Sequence, residues 1–340
     1  MGKFLVQGRD AGRVLNHISG NEVDGAAGVI TYTQWLNEGG TLEADLTITK
    51  LAEDRYLVVV TDTMVRHAET WLRRHIPEDA QAMVSDVTSA YGQLNVQGPS
   101  SRSLLQKLTS TDLSNSSFPF RTAREIDLGF ARVLCIRITY LGELGYELYI
   151  PAEQAVHVYD RIIAAGEEFG LAHAGLKALG SLRMEKGYRD YGHDIDNTDV
   201  PYEVGLGFAL DLKKAGGFIG KEAVLAQKAR GPLTRRLVQV LIKDPQPLMD
   251  DELIEQSTGR EVYRRLLELR ASKAVYVLAS HSHFVMVVTT NLGMSIPNLA
   301  MRLFRGGELP SYRLSGTVNP DIPLLPPIPF SKSGQLTLPN

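Results

Sequence analysis

The sequence predicts an α+β protein of mixed strands and helices, and two observations carry that expectation. Short apolar runs of period two alternate with stretches of helical periodicity. A strand, turn and helix also occur twice, ninety residues apart: Val6-Gln7-Gly8 matches Val96-Gln97-Gly98. In the helices that follow, Val14, Leu15 and Ile18 match Leu104, Leu105 and Leu108, which points to an internal duplication.

Taken in order, Lys3 to Val6 reads as a strand and Asp10 to Ile18 as a helix. Thr31 to Leu36, Asp45 to Thr49 and Tyr56 to Val60 read as strands, and Asp62 to His75 as a helix with Val65, Ala68 and Leu72 on one side. The second unit has a strand over Gln93 to Val96 and a helix over Pro99 to Leu108, with Pro99 suited to a first helical turn. Arg132 to Tyr140 follows as a strand in which Leu134, Ile136, Ile138 and Tyr140 share a face. Helices are expected over Glu153 to Gly166 and Gly175 to Glu185. A turn at Phe218 leads into a further short helix. Pro232 marks a boundary, so residues 1–231 and 232–340 are expected to be separate domains. Beyond it, Arg236 to Ile242 and Phe284 to Val288 read as strands, as does Val275 to Leu278. Glu261 to Arg270 reads as a helix, and the four prolines within 323–329 as an extended or disordered tail.

Composition narrows the function. A chain that is 44% hydrophobic and 22% charged has the make-up of a soluble globular protein, and a net charge of −3 without a long basic cluster argues against nucleic acid as its main partner. The single cysteine, Cys135, excludes an intrachain disulfide and sits in an apolar strand, as a core thiol does. The longest apolar run, Ala274 to Val288, is short for a membrane span and is broken by His281 and His283. No targeting peptide is evident at Met1-Gly2-Lys3-Phe4. His193, Asp194 and Asp196 lack a diagnostic metal spacing, so no metal is expected.

Candidate chemistry lies in a few segments. Gly39 and Gly40 permit a tight turn, after which strand geometry sets Glu43 and Asp45 on one face about 6–7 Å apart. Two such carboxylates can hold an amide-rich or cationic ligand or divide acid and base work; solvated hairpin acids account for them equally. In Tyr140-Leu-Gly-Glu-Leu-Gly-Tyr-Glu147, the glycines allow turning and close approach and place Glu143 and Glu147 near the rim of a sheet. Tyr91 and its neighbours Asp86, Thr88 and Ser89 offer polar contacts at a strand end, where turn chemistry is the competing explanation. Arg183 is a candidate for an acidic ligand, with structural bonding at the end of its helix the favoured role.

Leu36-Asn-Glu-Gly-Gly40, Asn95-Val-Gln-Gly-Pro99, Tyr140 to Glu147, Ser181-Leu-Arg-Met-Glu-Lys186, Tyr191-Gly-His-Asp-Ile195 and Phe218-Ile-Gly-Lys-Glu222, in this order and spacing, resemble the folate-binding aminomethyltransferase family. Within it, the chain is most similar to the carboxyl-terminal half of sarcosine and dimethylglycine dehydrogenases, over about residues 1–248. The resemblance implies a three-part, cloverleaf-like folate-binding domain, truncated at its amino terminus, with a carboxyl-terminal barrel that is incomplete or divergent. It implies tetrahydrofolate as cofactor, with FAD confined to a domain this chain lacks and a flavoprotein domain or electron-transfer protein as partner. By the same resemblance Asp45 or Glu43 acts near the reactive nitrogen, Tyr140 lines the cleft and Glu147 binds the pterin N–H groups. A family arginine corresponds to Leu179 here, and the acidic turn reads Glu-Ala-Asp instead of paired aspartates. The implied activity is capture of a one-carbon unit as 5,10-methylenetetrahydrofolate in the mitochondrial matrix, with no amine oxidation by this chain alone. A noncatalytic regulatory or interaction module and an autonomous aminomethyltransferase are the alternatives.

Overall fold

A computed structural model of the protein describes residues 1–233 and 235–242 together with the strands Leu253–Gln256, Ser282–Thr289, Ser311–Val318 and Ile328–Gln335. The chain divides into two compact units: Met1–Tyr191 with Gly207–Leu225, and Gly192–Leu206 with Ala226–Asn340.

The duplication expected from the two Val-Gln-Gly motifs is visible in the first unit as topology. Its first half runs β1 (Gly2–Gln7), α1 (Ala11–Ile18), β2 (Ile30–Leu36), β3 (Leu42–Ala52), β4 (Arg55–Val60) and α2 (Val65–Arg74). After the short β5 (Met83–Asp86), the second half repeats the order with β6 (Tyr91–Gln97), α3 (Ser101–Gln106), β7 (Thr122–Leu128), β8 (Ala131–Arg137), β9 (Gly145–Pro151) and α4 (Ala155–Gly166). Both sheets are antiparallel. The first is ordered β2-β3-β4-β1-β5, and the second β7-β8-β9-β6, which is the same arrangement strand for strand once β5 is set aside. The motif glycines play one part in both halves: Gly8 (φ +131°) and Gly98 (φ +116°) take backbone conformations that L side chains rarely adopt. Each then accepts, through its carbonyl, a hydrogen bond from the amide of the first helical residue, Ala11 at 2.9 Å and Ser101 at 3.1 Å.

Strand alternation sorts the side chains into three apolar layers. Phe4, Val6, Trp35, Ala44, Leu46, Ile48, Tyr56, Val58 and Val60 pack the outer face of the first sheet on α1 and α2, with Trp71 and Leu72 from α2. On the second sheet, Val133, Cys135, Tyr146, Leu148 and Ile150 pack against Leu104 and Leu105 of α3 and Val158 and Ile162 of α4. Between the sheets lies a smaller cluster, in which Ile30, Leu57 and Val59 meet Ala123, Ile136 and Tyr149. The result is a helix–sheet–sheet–helix sandwich. The polar side chains on its inner faces include Asp45 and Glu147.

Three local expectations change. The strand expected over Arg132 to Tyr140 ends at Arg137, because the Ile138 amide folds back on the Ile136 carbonyl (3.2 Å) and the chain bends away before Gly142 (φ +72°). Tyr140 therefore belongs to a loop. The acidic strand begins at Leu42 rather than Asp45, and Trp35 pairs with Ala44 while Leu36 pairs with Leu42. Glu43 is thus the extra residue of a β-bulge, and bulges re-aim side chains. The helix expected from Pro99 starts at Ser101.

After α4 come α5 (Leu176–Glu185) and α6 (Lys221–Ala229). In the second unit, Arg235 donates to Asp199 Oδ1 (2.8 Å) and lies 3.6 Å from Glu203. There β10 (Arg235–Ile242) pairs antiparallel with Ser282–Thr289, in line with the strands expected over 236–242 and 284–288. Leu253–Gln256, Ser311–Val318 and Ile328–Gln335 form a three-stranded sheet. The expected helix over 261–270, the strand over 275–278 and prolines 323, 326 and 327 lie outside the described residues. Among the described residues no helix is long and apolar enough to cross a membrane, and no group of three His, Cys, Asp or Glu side chains is placed to hold a metal ion.

Candidate functional site

Asp45 lies mid-strand on β3, directly across from Gln34 of β2. Two neutral donors hold its carboxylate: Tyr32 Oη to Oδ2 at 2.8 Å and Gln34 Nε2 to Oδ1 at 2.9 Å. Tyr32 and Gln34 lie on one face of β2 with Ile30, which packs into the cluster between the sheets, so Asp45 faces the second sheet. Desolvation raises the Asp45 carboxyl to about 6, even though the bonds from Gln34 and Tyr32 and the positive charge of Arg189 pull the other way. Burial first, and then the Asp45 charge, push the Tyr32 hydroxyl well above its ordinary range.

Glu147 occupies the matching inner face of β9, beside Tyr149 of the inter-sheet cluster. Tyr149 Oη donates to Glu147 Oε2 at 2.7 Å, and Gln93 Nε2 of β6 reaches the same oxygen at 3.4 Å. Burial raises this carboxyl too, with the Tyr149 hydroxyl acting in the opposite direction. The unit therefore holds two desolvated carboxylates on facing sheets, each bound by one tyrosine hydroxyl and one glutamine amide. They are not repeats of one another: Asp45 is on the third strand of its half and Glu147 on the fourth, so the likeness is in chemistry and not in register.

Two glycines make room for neighbouring side chains here. The Gln97 carboxamide of β6 lies over Gly145 of β9, within 1.7 Å of where a Cβ would sit, so it fills the space a side chain at 145 would take beside Glu147. Gly142, in the preceding loop, is held against Lys186 in the same way.

The other expected residues take separate places. Tyr140 is near enough to Tyr32 to influence its titration, and its hydroxyl donates to the Arg189 carbonyl at 2.5 Å while its ring stacks on Tyr188. Phe208, largely exposed, stacks on Tyr32 with ring centroids 6.0 Å apart. Glu43 points elsewhere, accepting from Asn37 Nδ2 (3.0 Å) and pairing with His67 of α2 (2.9 Å). Arg183 is 4% exposed, donates to the Tyr188 carbonyl at 3.0 Å and lies 4.0 Å from Asp190, tying the loop after α5 back to its helix. Tyr91 opens β6 and packs against the inter-sheet cluster. Asp45, Glu147 and Tyr140 are thus brought toward the inner faces, while Glu43 and Arg183 are engaged in local contacts.

Sequence reasoning missed Tyr32, Gln34, Gln93 and Tyr149. The signal was present in the period of two: Tyr32 and Gln34 alternate with the core residue Trp35, and Tyr149 follows Glu147 by two positions.

The family model described as the GCVT N-terminal domain matches residues 1–214. The chain belongs to this family. As a GCVT protein it is 38% identical over 253 residues to 4-methylaminobutanoate oxidase (formaldehyde-forming) of Paenarthrobacter nicotinovorans, which covers 74% of this chain and 30% of that protein. It is 35% identical over 267 residues to mitochondrial sarcosine dehydrogenase of Homo sapiens, covering 74% of this chain and 29% of that protein. The chain therefore spans under a third of the length of these relatives. Among solved structures, the glycine cleavage system aminomethyltransferase T from Bartonella henselae matches with a TM-score of 0.67 at 24% identity, over 77% of this chain and 70% of that one. The GCVT fold of mixed helices and antiparallel sheets is thereby shown.

Proposed function

We propose that this GCVT chain is a tetrahydrofolate-binding module of a sarcosine-dehydrogenase-like protein, in which a one-carbon unit released by N-methyl amine oxidation is taken up as 5,10-methylenetetrahydrofolate. The observation that carries the reading is the presence of two desolvated carboxylates, Asp45 and Glu147, on the inner faces of the two sheets, each hydrogen-bonded by a tyrosine hydroxyl and a glutamine amide. The names of the relatives support the source of the carbon: one forms formaldehyde and another acts on sarcosine.

The residues present fit such a ligand. A reduced pterin offers adjacent N–H donors and a secondary amine, and a carboxylate can accept two parallel N–H bonds. Glu147 Oε2 already accepts from Tyr149 and Gln93, which leaves Oε1 to accept a pterin N–H. The fully buried Gln34 has a carbonyl oxygen with no hydrogen-bond partner beside Asp45, so the protein supplies acceptors in excess of its own donors at this place. When bound, tetrahydrofolate supplies the two nitrogens that take up a formaldehyde-level carbon with loss of water. Asp45, with its carboxyl near 6, exchanges a proton at its carboxylate oxygens near neutral pH, as an acid or base at a reacting amine must. Tyr32 and Gln34 keep that carboxylate in one orientation. Tyr140 and Phe208 offer aromatic faces for a flat heterocycle. Fixing the amine against Asp45 provides the gain expected of proximity.

A flavoprotein domain is the proposed supplier of the carbon, since tetrahydrofolate itself oxidises no amine. A mitochondrial setting is proposed from the sarcosine dehydrogenase named as mitochondrial.

Titration of tetrahydrofolate into the folded chain tests the reading: saturable binding is expected, and its absence overturns it. Glu147→Gln is expected to weaken that binding by about 1–3 kcal/mol, the usual cost of losing charged hydrogen bonds in a desolvated site. Unchanged affinity in the folded variant would remove Glu147 from the site.

A further inference from the structure

We propose that Gln34 is the positioning residue of Asp45: its carboxamide holds the carboxylate charged and fixed in orientation, and it is retained for that purpose rather than for the core. The inference rests on the folate reading for what Asp45 does, but on the structure alone for what Gln34 does to Asp45.

Gln34 is completely buried in the centre of β2, its backbone paired with β3 and its carbonyl accepting from the Gly20 amide at 2.8 Å. At such a place an aliphatic side chain of similar length would bury no unpaired oxygen of its own, but it would leave Asp45 Oδ1 without its donor. The glutamine instead spends its side-chain amide on one bond, Nε2 to Asp45 Oδ1 at 2.9 Å, and leaves its own carbonyl oxygen buried without a partner. A buried, unpaired acceptor is costly, and in the unliganded chain the bond to Asp45 is what the side chain gives in return. That bond fixes one carboxylate oxygen while Tyr32 fixes the other, which removes rotation of the carboxyl about its Cβ–Cγ bond.

The same bond governs the charge. The groups that face Asp45 are Tyr32 and Gln34 from β2, Tyr140 through Tyr32, and Arg189 and Asp190 from the segment after α5. Arg189 favours the carboxylate and Asp190 opposes it, and the Gln34 bond is the largest influence set against desolvation. Gln34 thus keeps Asp45 ionised at neutral pH, ready to accept a proton.

The test follows Asp45 directly, by carboxyl carbon NMR over pH 4–9 on the full chain, in the wild type and in Gln34→Met and Gln34→Leu. The Asp45 midpoint is expected to rise by about one pH unit in both variants, the equivalent of one lost hydrogen bond to the charged form, with the urea midpoint of unfolding no lower than wild type at pH 5. Tyr32→Phe is expected to move the same midpoint in the same direction. An Asp45 midpoint unchanged in either folded variant overturns the proposal. So does loss of folding in both, because that would make Gln34 a structural residue. No folate enters the measurement, so absent tetrahydrofolate binding by the wild type would sink the functional reading and leave this one standing or falling by itself.

Discussion

Gly8→Ala is expected to destabilise the chain by at least about 3 kcal/mol, whereas Gly98→Ala is expected to cost roughly 1–2 kcal/mol. Both glycines close the same strand-to-helix turn at φ above +110°, so both substitutions carry the strain of an L residue in that region. They differ in surroundings. A Cβ on Gly8 would come within 2.1 Å of the Gln81 carbonyl oxygen, which accepts from the Asp10 amide (3.1 Å) while the Gln81 amide donates to Asp10 Oδ2 (2.8 Å), so this backbone is held on both sides. A Cβ on Gly98 would meet nothing within 4 Å. Urea unfolding of the two variants gives the difference. Equal losses would show that the clash at Gly8 relaxes at no cost.

Asp45→Asn is expected to stabilise the chain at pH 7 by up to about 3 kcal/mol and to have no such effect below pH 4. The sign follows from the direction of the shift. The carboxyl titrates near 6 in the folded chain and near 3.8 when unfolded, so folding binds the proton more tightly. Below 3.8 both states are protonated and the site costs nothing. Between 3.8 and 6 the unfolded chain ionises first, stability falls as pH rises, and above 6 the full penalty of a desolvated carboxylate is present. Asparagine carries no charge, and its amide can donate to the buried Gln34 carbonyl after a flip of that side chain. Unfolding free energies of wild type and variant at pH 4 and pH 7 check the claim: a difference independent of pH would mean that Asp45 is not desolvated as its surroundings indicate. A gain in stability together with lost uptake of the one-carbon unit is the pattern of a residue kept for chemistry at the expense of folding.

Much of this was legible in the chain. The Val-Gln-Gly repeats announced a duplication, and the matched sheet orders bear it out because strand order follows from chain order when short connections join antiparallel neighbours. The apolar alternation placed β1, β2, β4 and the helices close to where they stand. The acidic turn was less legible. Period two predicts Glu43 and Asp45 side by side, but a bulge is a property of two strands in register, and neither strand alone reveals which residue will be extra. The same holds for Arg183, whose partners Tyr188 and Asp190 are close in sequence but are reached only because the chain turns back after α5.

Local periodicity and glycine chemistry are written residue by residue, so the amino-acid sequence by itself determined the α+β class, the duplicated unit and the two acidic segments. The tertiary structure decided which carboxylates count. Burial, and with it the raised Asp45 and Glu147 carboxyls, depends on what packs across from a side chain, and here that is another sheet some hundred residues away in the chain. Only the sandwich could desolvate Asp45 and Glu147 on facing sheets, give each a tyrosine and a glutamine, and turn Glu43 away to His67.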